Sequence, residues 1–193
     1  MLGEAIDIMR QLWTGKTVDF DGKYFTVENA RVFSVPAEPP RMIVAAAGPK
    51  TAAFAAQRAD GLWSTSPDAE VVDAYRSAGG DGPVYGQVSV CVAPSEEEAR
   101  QTALRVWPTS GMPGQLSQDL PTWTHFQGVA KLVTEDRVAD AIVCGPRSRP
   151  ILDAIDKFVQ AGFDHIHLHQ IGPDQTALLT LYESELKEAL VNS

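Results

Sequence analysis

The chain has 193 residues, of which 44% are hydrophobic, with a formal net charge of -9 and a pI of about 4.8. This length and composition predict a single globular domain with a sizeable core. The acidic charge argues against non-specific nucleic-acid binding and against an anionic membrane surface.

The sequence contains no apolar run as long as a membrane span and no signal peptide, because Met1 leads directly into an amphipathic pattern. The two cysteines, Cys91 and Cys144, lie far apart in apolar runs without metal-like spacing. We interpret them as buried, reduced thiols in a cytoplasmic protein.

Residues 2–40 are predicted to form a helix and a hairpin. Apolar side chains recur at helical spacing in residues 2–14, and Gly15 ends the pattern. Asp21-Gly22 between two β-rich arms is a hairpin signal. No strand precedes the helix, which suggests that the chain enters a βα pattern partway. The predicted apolar face of the helix comprises Ala5, Ile8, Met9, Leu12 and Trp13.

Residues 41–60 predict a strand, a tight glycine turn and a helix. The apolar run Met42 to Ala47 is typical of a strand buried on both faces. Gly48 ends it, and Pro49 suits the first position of a helix. The free N–H groups of such a helix start attract a phosphate, although the same pattern also fits an ordinary βα connection.

Three further strands are predicted, and each is followed by a helix. The helices after the first and the last strand are predicted to begin at Ser66-Pro67 and at Gly172-Pro173. Ser95 and Glu98 form a capping box for the helix between them. The predicted strands comprise residues 61–65, 84–92 and 163–171. Residues 41–106 thus hold βα units, and residues 146–193 hold a final helix, strand and helix.

An insertion, residues 107–145, interrupts this rhythm. Residues 107–121 are rich in Pro, Gly, Ser and Gln and predict a long loop of the kind that often serves as a lid. Short helices are predicted at residues 122–132 and 134–143.

Four strands, each followed by helix, predict an α/β fold with a parallel sheet and right-handed crossovers. Two architectures fit this pattern: an open doubly wound sheet, and the C-terminal half of a (β/α)8 TIM barrel with four parallel strands and a helical insertion. The orphan first helix favours the half-barrel, since a full barrel typically needs about 250 residues.

Five segments carry a resemblance to a known family. In chain order they read VDFDGKYFTVENARVFSVP, IVAAAGPK, DGLWSTSPD, VCGP and AGFDHIHLHQIGPDQ. They resemble landmarks of the luciferase-like flavin and deazaflavin oxidoreductases, in the branch that includes the coenzyme F420-dependent glucose-6-phosphate dehydrogenases. The resemblance covers nearly the whole chain but corresponds only to the C-terminal half of those full barrels.

The resemblance implies hydride transfer between coenzyme F420 and an unidentified organic substrate, with FMN as the alternative cofactor. It implies cofactor contacts at Ala47, Gly48, Lys50 and Thr51, and a substrate contact at Thr65. In the family, the groups for proton transfer lie mostly in the N-terminal half of the barrel. We therefore name no catalytic residue in this chain.

The basic residues that hold the sugar phosphate in the glucose-6-phosphate enzymes have no basic counterpart here. One of the three corresponds to Asp68, and the others fall near Gly128 and Ala154. An acidic group at that position argues against a sugar-phosphate substrate.

His165, His167 and His169 alternate along one predicted strand and should share a face. The outer two would lie about 13 Å apart, which is too far for a single metal ion to reach both easily. We therefore expect these residues to line a barrel interior or its mouth and predict no metal site. His169, nearest the C-terminal end of the strand, is a candidate substrate-binding residue.

Two other functions remain open: a truncated, non-catalytic cofactor-binding or interaction module, and an FMN-dependent monooxygenase-type relative. The expected partners are a small-molecule substrate and either further copies of the chain, in a homo-oligomer, or a complementing N-terminal half-barrel. A four-stranded fragment would leave two strand edges and an apolar barrel interior uncovered.

Overall fold

The computed structural model describes residues 1–114 and 116–191. These residues form two compact units, of which unit 1 comprises residues 1–63 and 70–84, and unit 2 comprises residues 64–69 and 85 onward. The predicted single domain over residues 1–193 stays a prediction. Gln115 in its insertion, and Asn192 and Ser193 in its last segment, lie outside the described residues.

Unit 1 begins with helix α1 (Leu2–Leu12) and an antiparallel hairpin of β1 (Val18–Asp21) and β2 (Thr26–Ala30), as predicted. The hairpin turn is held by Glu4 of α1. Its carboxylate accepts hydrogen bonds of 2.9–3.2 Å from the N–H groups of three consecutive residues, Lys23, Tyr24 and Phe25. Desolvation raises the pKa of Glu4, but these three donors outweigh it, so that the net shift is downward.

The buried face of α1 differs from the predicted one. Ile6 is only 1% exposed although the predicted face omits it, whereas Met9, which it includes, is 39% exposed. The difference arises because α1 has neighbours on two sides. Glu4 contacts the hairpin, and Gly3 accepts a hydrogen bond from the guanidinium of Arg58 in the second helix.

The rest of unit 1 is built on two parallel strands. Strand β3 (Ile43–Ala45) leads into helix α2 (Pro49–Arg58) and strand β4 (Gly61–Ser64), and helix α3 (Ala69–Ser77) follows. Strands β3 and β4 pair in parallel. The predicted strand, glycine turn and helix are therefore confirmed, with Pro49 in the first turn of α2.

Strand β3 is buried on one face, although the sequence predicts burial on both. Met42, Val44 and Ala46 are buried, whereas Ala45 and Ala47 are exposed. Alternate residues of a strand point to opposite faces, and α2 packs against β3, so only one set of side chains is covered.

The predicted start of α3 at Ser66-Pro67 is wrong, because the helix begins at Ala69. The Ser66 carbonyl accepts a 2.9 Å hydrogen bond from the N–H of Asp68, two residues further on. This tight turn replaces the first helical turn that the Ser-Pro pair predicts.

In unit 2, two strands pair in parallel with strand β5 (Val84–Cys91). Strand β7 (His165–Gln170) pairs with β5 from Tyr85↔His165 to Val90↔Gln170, and the two-residue strand β6 (Val143–Cys144) pairs with the end of β5. The predicted α/β fold with parallel strands is thus confirmed, and β6 is an addition to it.

The helices of unit 2 follow these strands. Helix α4 (Glu96–Val106) is capped by Ser95, whose hydroxyl accepts from the N–H of Glu98, as predicted. Helix α8 (Ser148–Gln160) buries Ile151, Ile155 and Phe158 of its predicted apolar face, whereas Val159, which the prediction also includes, is 57% exposed. A core lies where α4 packs at the end of β5, and it comprises Cys91, Ala99, Ala103, Val138, Ile142 and Ile171.

The insertion is more ordered than a long loop. Its first part contains a 3₁₀ turn (Pro108–Gly111) and the short helix α5 (Leu116–Asp119). Helices α6 (Trp123–Ala130) and α7 (Glu135–Ala139) follow, capped by the hydroxyls of Thr122 and Thr134. Helix α7 ends before the predicted residue 143, because Val143 and Cys144 pair with β5 instead.

The C-terminal segment also begins later than predicted. Helix α9 (Gln175–Leu181) is capped by Asp174, whose carboxylate accepts from the N–H groups of Thr176 and Ala177, so Gly172-Pro173 is not the helix start. A π-helical turn (Tyr182–Leu186) and helix α10 (Lys187–Val191) follow. None of the helices that the structure describes is long and apolar enough to cross a membrane.

The end of β7 is held by a buried amide. Gln170 is 5% exposed, and its Nε2 donates to the carbonyl oxygens of Val92 and Asp174, each at 3.0 Å. Its Oε1 accepts from the N–H of Val92 at 2.9 Å. One side chain therefore satisfies three backbone groups at the C-terminal ends of the strands of unit 2.

Candidate functional site

In unit 1, the candidate cofactor residues surround the start of α2. Gly48 has an extended backbone (φ -167°, ψ 165°), and no side chain caps the helix. A Cβ added at Gly48 would meet no atom within 4 Å, so the turn borders open space. The first N–H groups of α2 are consequently left for solvent or a ligand.

The charges at this helix start favour an anion. The first turn of α2 contains no acidic residue, and Lys50 and Thr51 are exposed beside the turn. The start of α4 provides a contrast, since its first turn carries three glutamates and a serine cap. A helix start with a lysine and without carboxylates attracts negative charge.

In unit 2, the polar side chains of two paired strands share one face. Gln87 pairs in register with His167, and Ser89 pairs with His169. The Nε2 of Gln87 lies 3.4 Å from Nδ1 of His169. The rings of His167 and His169 lie 6.3 Å apart between centroids, and the predicted common face of the histidines is confirmed.

The opposite face of β5 packs against α8. Gly86, Val88 and Val90 alternate with the polar residues and are buried. A Cβ on Gly86 would lie 2.5 Å from the ring of Phe158, so the glycine allows close approach of helix and strand. Packing on this side leaves the polar face to border a cleft.

The cleft has a volume of about 420 Å³ and lies at the C-terminal end of β5. Thr65 and Gln87 both line it, and Gln87 in turn lies 3.4 Å from His169, which is not itself among the described lining residues. Trp107 also lies there, and its ring and that of His169 are 5.7 Å apart between centroids in an edge-on arrangement. The described lining comprises Thr65, Gln87, Ser89, Trp107, Thr109, Ser110, Met112 and Ala141.

Sequence reasoning missed Gln87, Ser89 and Trp107. The alternation of polar and apolar residues in YGQVSV signals a polar face, and could have identified the first two. Trp107 stands at the end of α4 and carries no comparable signal. Only the fold shows that it approaches His169.

Within residues 1–114 and 116–191 no group of three or more His, Cys, Asp or Glu could hold a metal ion. The two cysteines are free thiols, paired in register on β5 and β6. Burial raises the pKa of Cys91 and raises that of Cys144 to about 11, so neither is suited to thiolate chemistry at neutral pH.

Comparison with known proteins places this fold in a family. The family model described as luciferase-like monooxygenase matches residues 1–165. The chain belongs to the luciferase-like family. The relatives of this luciferase-like chain include F420-dependent glucose-6-phosphate dehydrogenases of Mycobacterium tuberculosis and Nocardia farcinica, each 26% identical over 98% of the chain.

Solved structures of luciferase-like proteins agree with this assignment. One is an F420-dependent secondary alcohol dehydrogenase in complex with an F420-acetone adduct, with a TM-score of 0.75 at 25% identity over 95% of this chain. The F420-dependent tetrahydromethanopterin reductase of Methanopyrus kandleri shares the fold, with a TM-score of 0.64 at 17% identity. The chain spans only about 60% of the length of these curated relatives and 59% of the alcohol dehydrogenase.

Proposed function

We propose that this chain is the part of an F420-dependent oxidoreductase that holds the anionic tail of the cofactor and lines the substrate site. The reaction is hydride transfer between coenzyme F420 and an organic substrate other than glucose 6-phosphate. The observation that carries the proposal is the start of α2, where Gly48 borders open space and Lys50 lies beside uncapped N–H groups. Ala47 and Thr51 complete the proposed tail site.

Coenzyme F420 is preferred to FMN because of the relatives. The curated relatives and the solved structure that share about a quarter of their residues with this chain are F420-dependent by name. A luciferase-like structure in complex with FMN shares only 16% of its residues and supports the fold alone. Bound F420 would supply the hydride acceptor or donor, and the chain's own residues would orient it.

The parallel strands are inferred to be the C-terminal half of a (β/α)8 barrel. The likeness to the alcohol dehydrogenase covers 95% of this chain but 59% of that protein, which supports a partial barrel. Strands β3, β4, β5 and β7 would then be four consecutive barrel strands. Thr65 and His169 would lie at the C-terminal mouth, where barrel enzymes bind substrates.

A substrate other than a sugar phosphate is supported by Asp68. This carboxylate follows Thr65 by three residues, at a position that is basic in the glucose-6-phosphate enzymes that the chain resembles. Ala154, near another such position, is half-buried and lines a cleft of unit 2 without offering charge. A phosphate dianion would therefore lack its cationic partners.

A second candidate is a cofactor-binding module without turnover. It is favoured by the proposed site residues, all of which are assigned to binding. Under this proposal the chain binds F420 but shows no hydride transfer alone. Steady-state absorbance of F420 with the purified chain separates the two candidates.

The substitution Gly48→Asp is expected to weaken F420 binding at least about tenfold, because a carboxylate within a few ångströms repels an anionic tail. The extended backbone and open space at Gly48 accommodate the new side chain, so the fold should persist. Fluorescence titration with F420 measures the effect. Circular dichroism of the variant verifies that the fold is unchanged.

Gln57→Asp is the matched control for this titration. Gln57 is exposed near the other end of α2, about 13 Å from Gly48, which exceeds the Debye length at physiological salt. It adds the same charge to the same helix and should leave F420 affinity within about twofold. Equal weakening by both variants, or no effect of Gly48→Asp, would exclude α2 as the tail site.

Self-association, or pairing with a complementing N-terminal half-barrel, is proposed from the apolar surfaces. In unit 2, a groove of about 380 Å³ between α8, β7 and α9 is lined by aliphatic residues and Tyr182. Leu179 in this groove is 64% exposed. We expect the chain to be at least a dimer at micromolar concentration, and size-exclusion chromatography with light scattering that returns a monomer would contradict this.

A further inference from the structure

The cleft at the end of β5 offers neutral side chains to a ligand. Its polar groups are the hydroxyls of Thr65 and Ser89 and the amide of Gln87, and among the described residues that line it none is charged. Trp107 and the largely buried Met112 form its apolar part. An anion placed there would be desolvated without a cation to pair with, which is costly.

One carboxylate adjoins the lining along the chain, since Asp140 directly precedes Ala141. A neighbouring cleft of about 390 Å³ shares Thr65 with the first and is lined by both Asp140 and Lys157. Among the described residues that line this second cleft, Lys157 is the one cation and Asp140 the one carboxylate, so the lining carries no net positive charge that would favour a phosphate or a carboxylate ligand.

We propose that the cleft binds a neutral hydroxy or carbonyl compound with an apolar group, and that it discriminates against phosphorylated and carboxylated compounds. This inference rests on the function proposed above, since it names the substrate class of the same oxidoreductase. The oxygen of the ligand hydrogen-bonds to Thr65 or Gln87, and the apolar group packs on Trp107. Both contacts are available to an uncharged molecule at no electrostatic cost.

Oxidation of such a substrate and reduction of the cofactor balance in atoms and electrons. With F420 bound, the alcohol would give a hydride from its carbon to the cofactor and a proton from its oxygen to solvent, and the carbonyl compound and reduced F420 would result. The reverse reaction adds the same hydride and proton to the carbonyl. Neither direction changes the charge of the substrate, so one neutral cleft accommodates both forms.

Cyclohexanol and cyclohexyl phosphate test the inference, because they share an apolar body and differ in charge. The chain has four tryptophans, so the indole N–H signal of Trp107 can be assigned in a ¹⁵N spectrum by comparison with Trp107→Phe. Cyclohexanol is expected to shift this signal, and cyclohexyl phosphate to require at least about tenfold higher concentration. The measurement reports binding at the cleft itself and needs no turnover.

Two lysine variants make the test specific. Thr109→Lys places a cation in the lining and is expected to remove the tenfold preference, whereas Thr124→Lys, on the exposed side of α6, should leave it unchanged. Equal or tighter binding of the phosphate ester by the unmodified chain overturns the inference. The absence of any Trp107 shift with either probe overturns it as well.

Titration with F420 separates this inference from the proposed function. If F420 binds but the phosphate ester is not disfavoured, the substrate class is wrong and the function stands. If cyclohexanol is preferred but F420 does not bind, the cleft is a neutral-ligand site and the proposed oxidoreductase function fails.

Discussion

Gln170→Leu is expected to lower the free energy of unfolding by about 3–5 kcal/mol. Leucine fills a similar volume but leaves the N–H and the carbonyl of Val92 and the carbonyl of Asp174 without their partner. Each buried backbone group left unpaired costs about 1–3 kcal/mol. Because a whole domain is stable by only about 5–15 kcal/mol, this single change removes a large part of the total.

Urea unfolding followed by circular dichroism measures this loss, and Gln101→Leu provides the matched control. Gln101 is exposed, and its amide donates a 3.3 Å hydrogen bond to the carboxylate of Glu97 one helical turn away. Its replacement should change stability by less than about 0.5 kcal/mol. If Gln170→Leu costs no more than the control, the amide does not hold the ends of the strands.

Gly82→Ala is expected to cost about 3 kcal/mol through steric overlap in unit 1. A Cβ at Gly82 would overlap the carbonyl oxygen and carbon of Asp60, both of which are backbone atoms. The Asp60 backbone cannot easily move away. Its N–H donates to the carbonyl of Met42, and its carboxylate accepts from the N–H of Met42, each at 2.7 Å.

Gly128→Ala separates steric overlap from the general effect of replacing a glycine. A Cβ at Gly128 meets nothing within 4 Å, and the residue lies within helix α6. Alanine there should be neutral or stabilise by up to about 1 kcal/mol, because it restricts the unfolded chain and favours helix. Thermal unfolding of the Gly82→Ala and Gly128→Ala variants measures the difference in stability. Similar melting temperatures for the two variants would contradict the predicted steric cost at Gly82.

The sequence predicts those elements whose causes are local. The start of α2 follows from Gly48 and Pro49 alone, and the cap of α4 follows from Ser95 and Glu98, three residues apart. The hairpin follows from the Asp21-Gly22 pair and its β-rich arms. In each case the sequence signal is local, although the hairpin turn gains a further contact from the distant Glu4.

The elements that the sequence mispredicts depend on distant residues. Val143 and Cys144 have a helical context but pair with β5, which lies more than fifty residues earlier. Pro173 suits a helix start, yet the Asp174 carboxylate caps the helix one position later. Tertiary pairing and a competing cap thus override patterns that are locally sound.

The candidate site shows the same division. The resemblance predicts Thr65, the C-terminal end of the strand predicts His169, and alternation along the strand places the histidines on one face. The neutral character of the cleft is not predictable, since it depends on Trp107 and Met112 of the insertion meeting Gln87 of β5. These three residues come together only in the folded chain.

The contact of Glu4 with the hairpin turn has a consequence for the order of assembly. Glu4 and Tyr24 are 20 residues apart, whereas Gln87 and His169 are 82 residues apart. Closing the longer loop costs about 1.2 kcal/mol more in chain entropy, and contacts between sequence neighbours form faster. The first helix and hairpin can therefore form before the contact between Gln87 and His169. The histidine face is completed only after the whole insertion is in place, so a ligand that needs this face would bind only after that step.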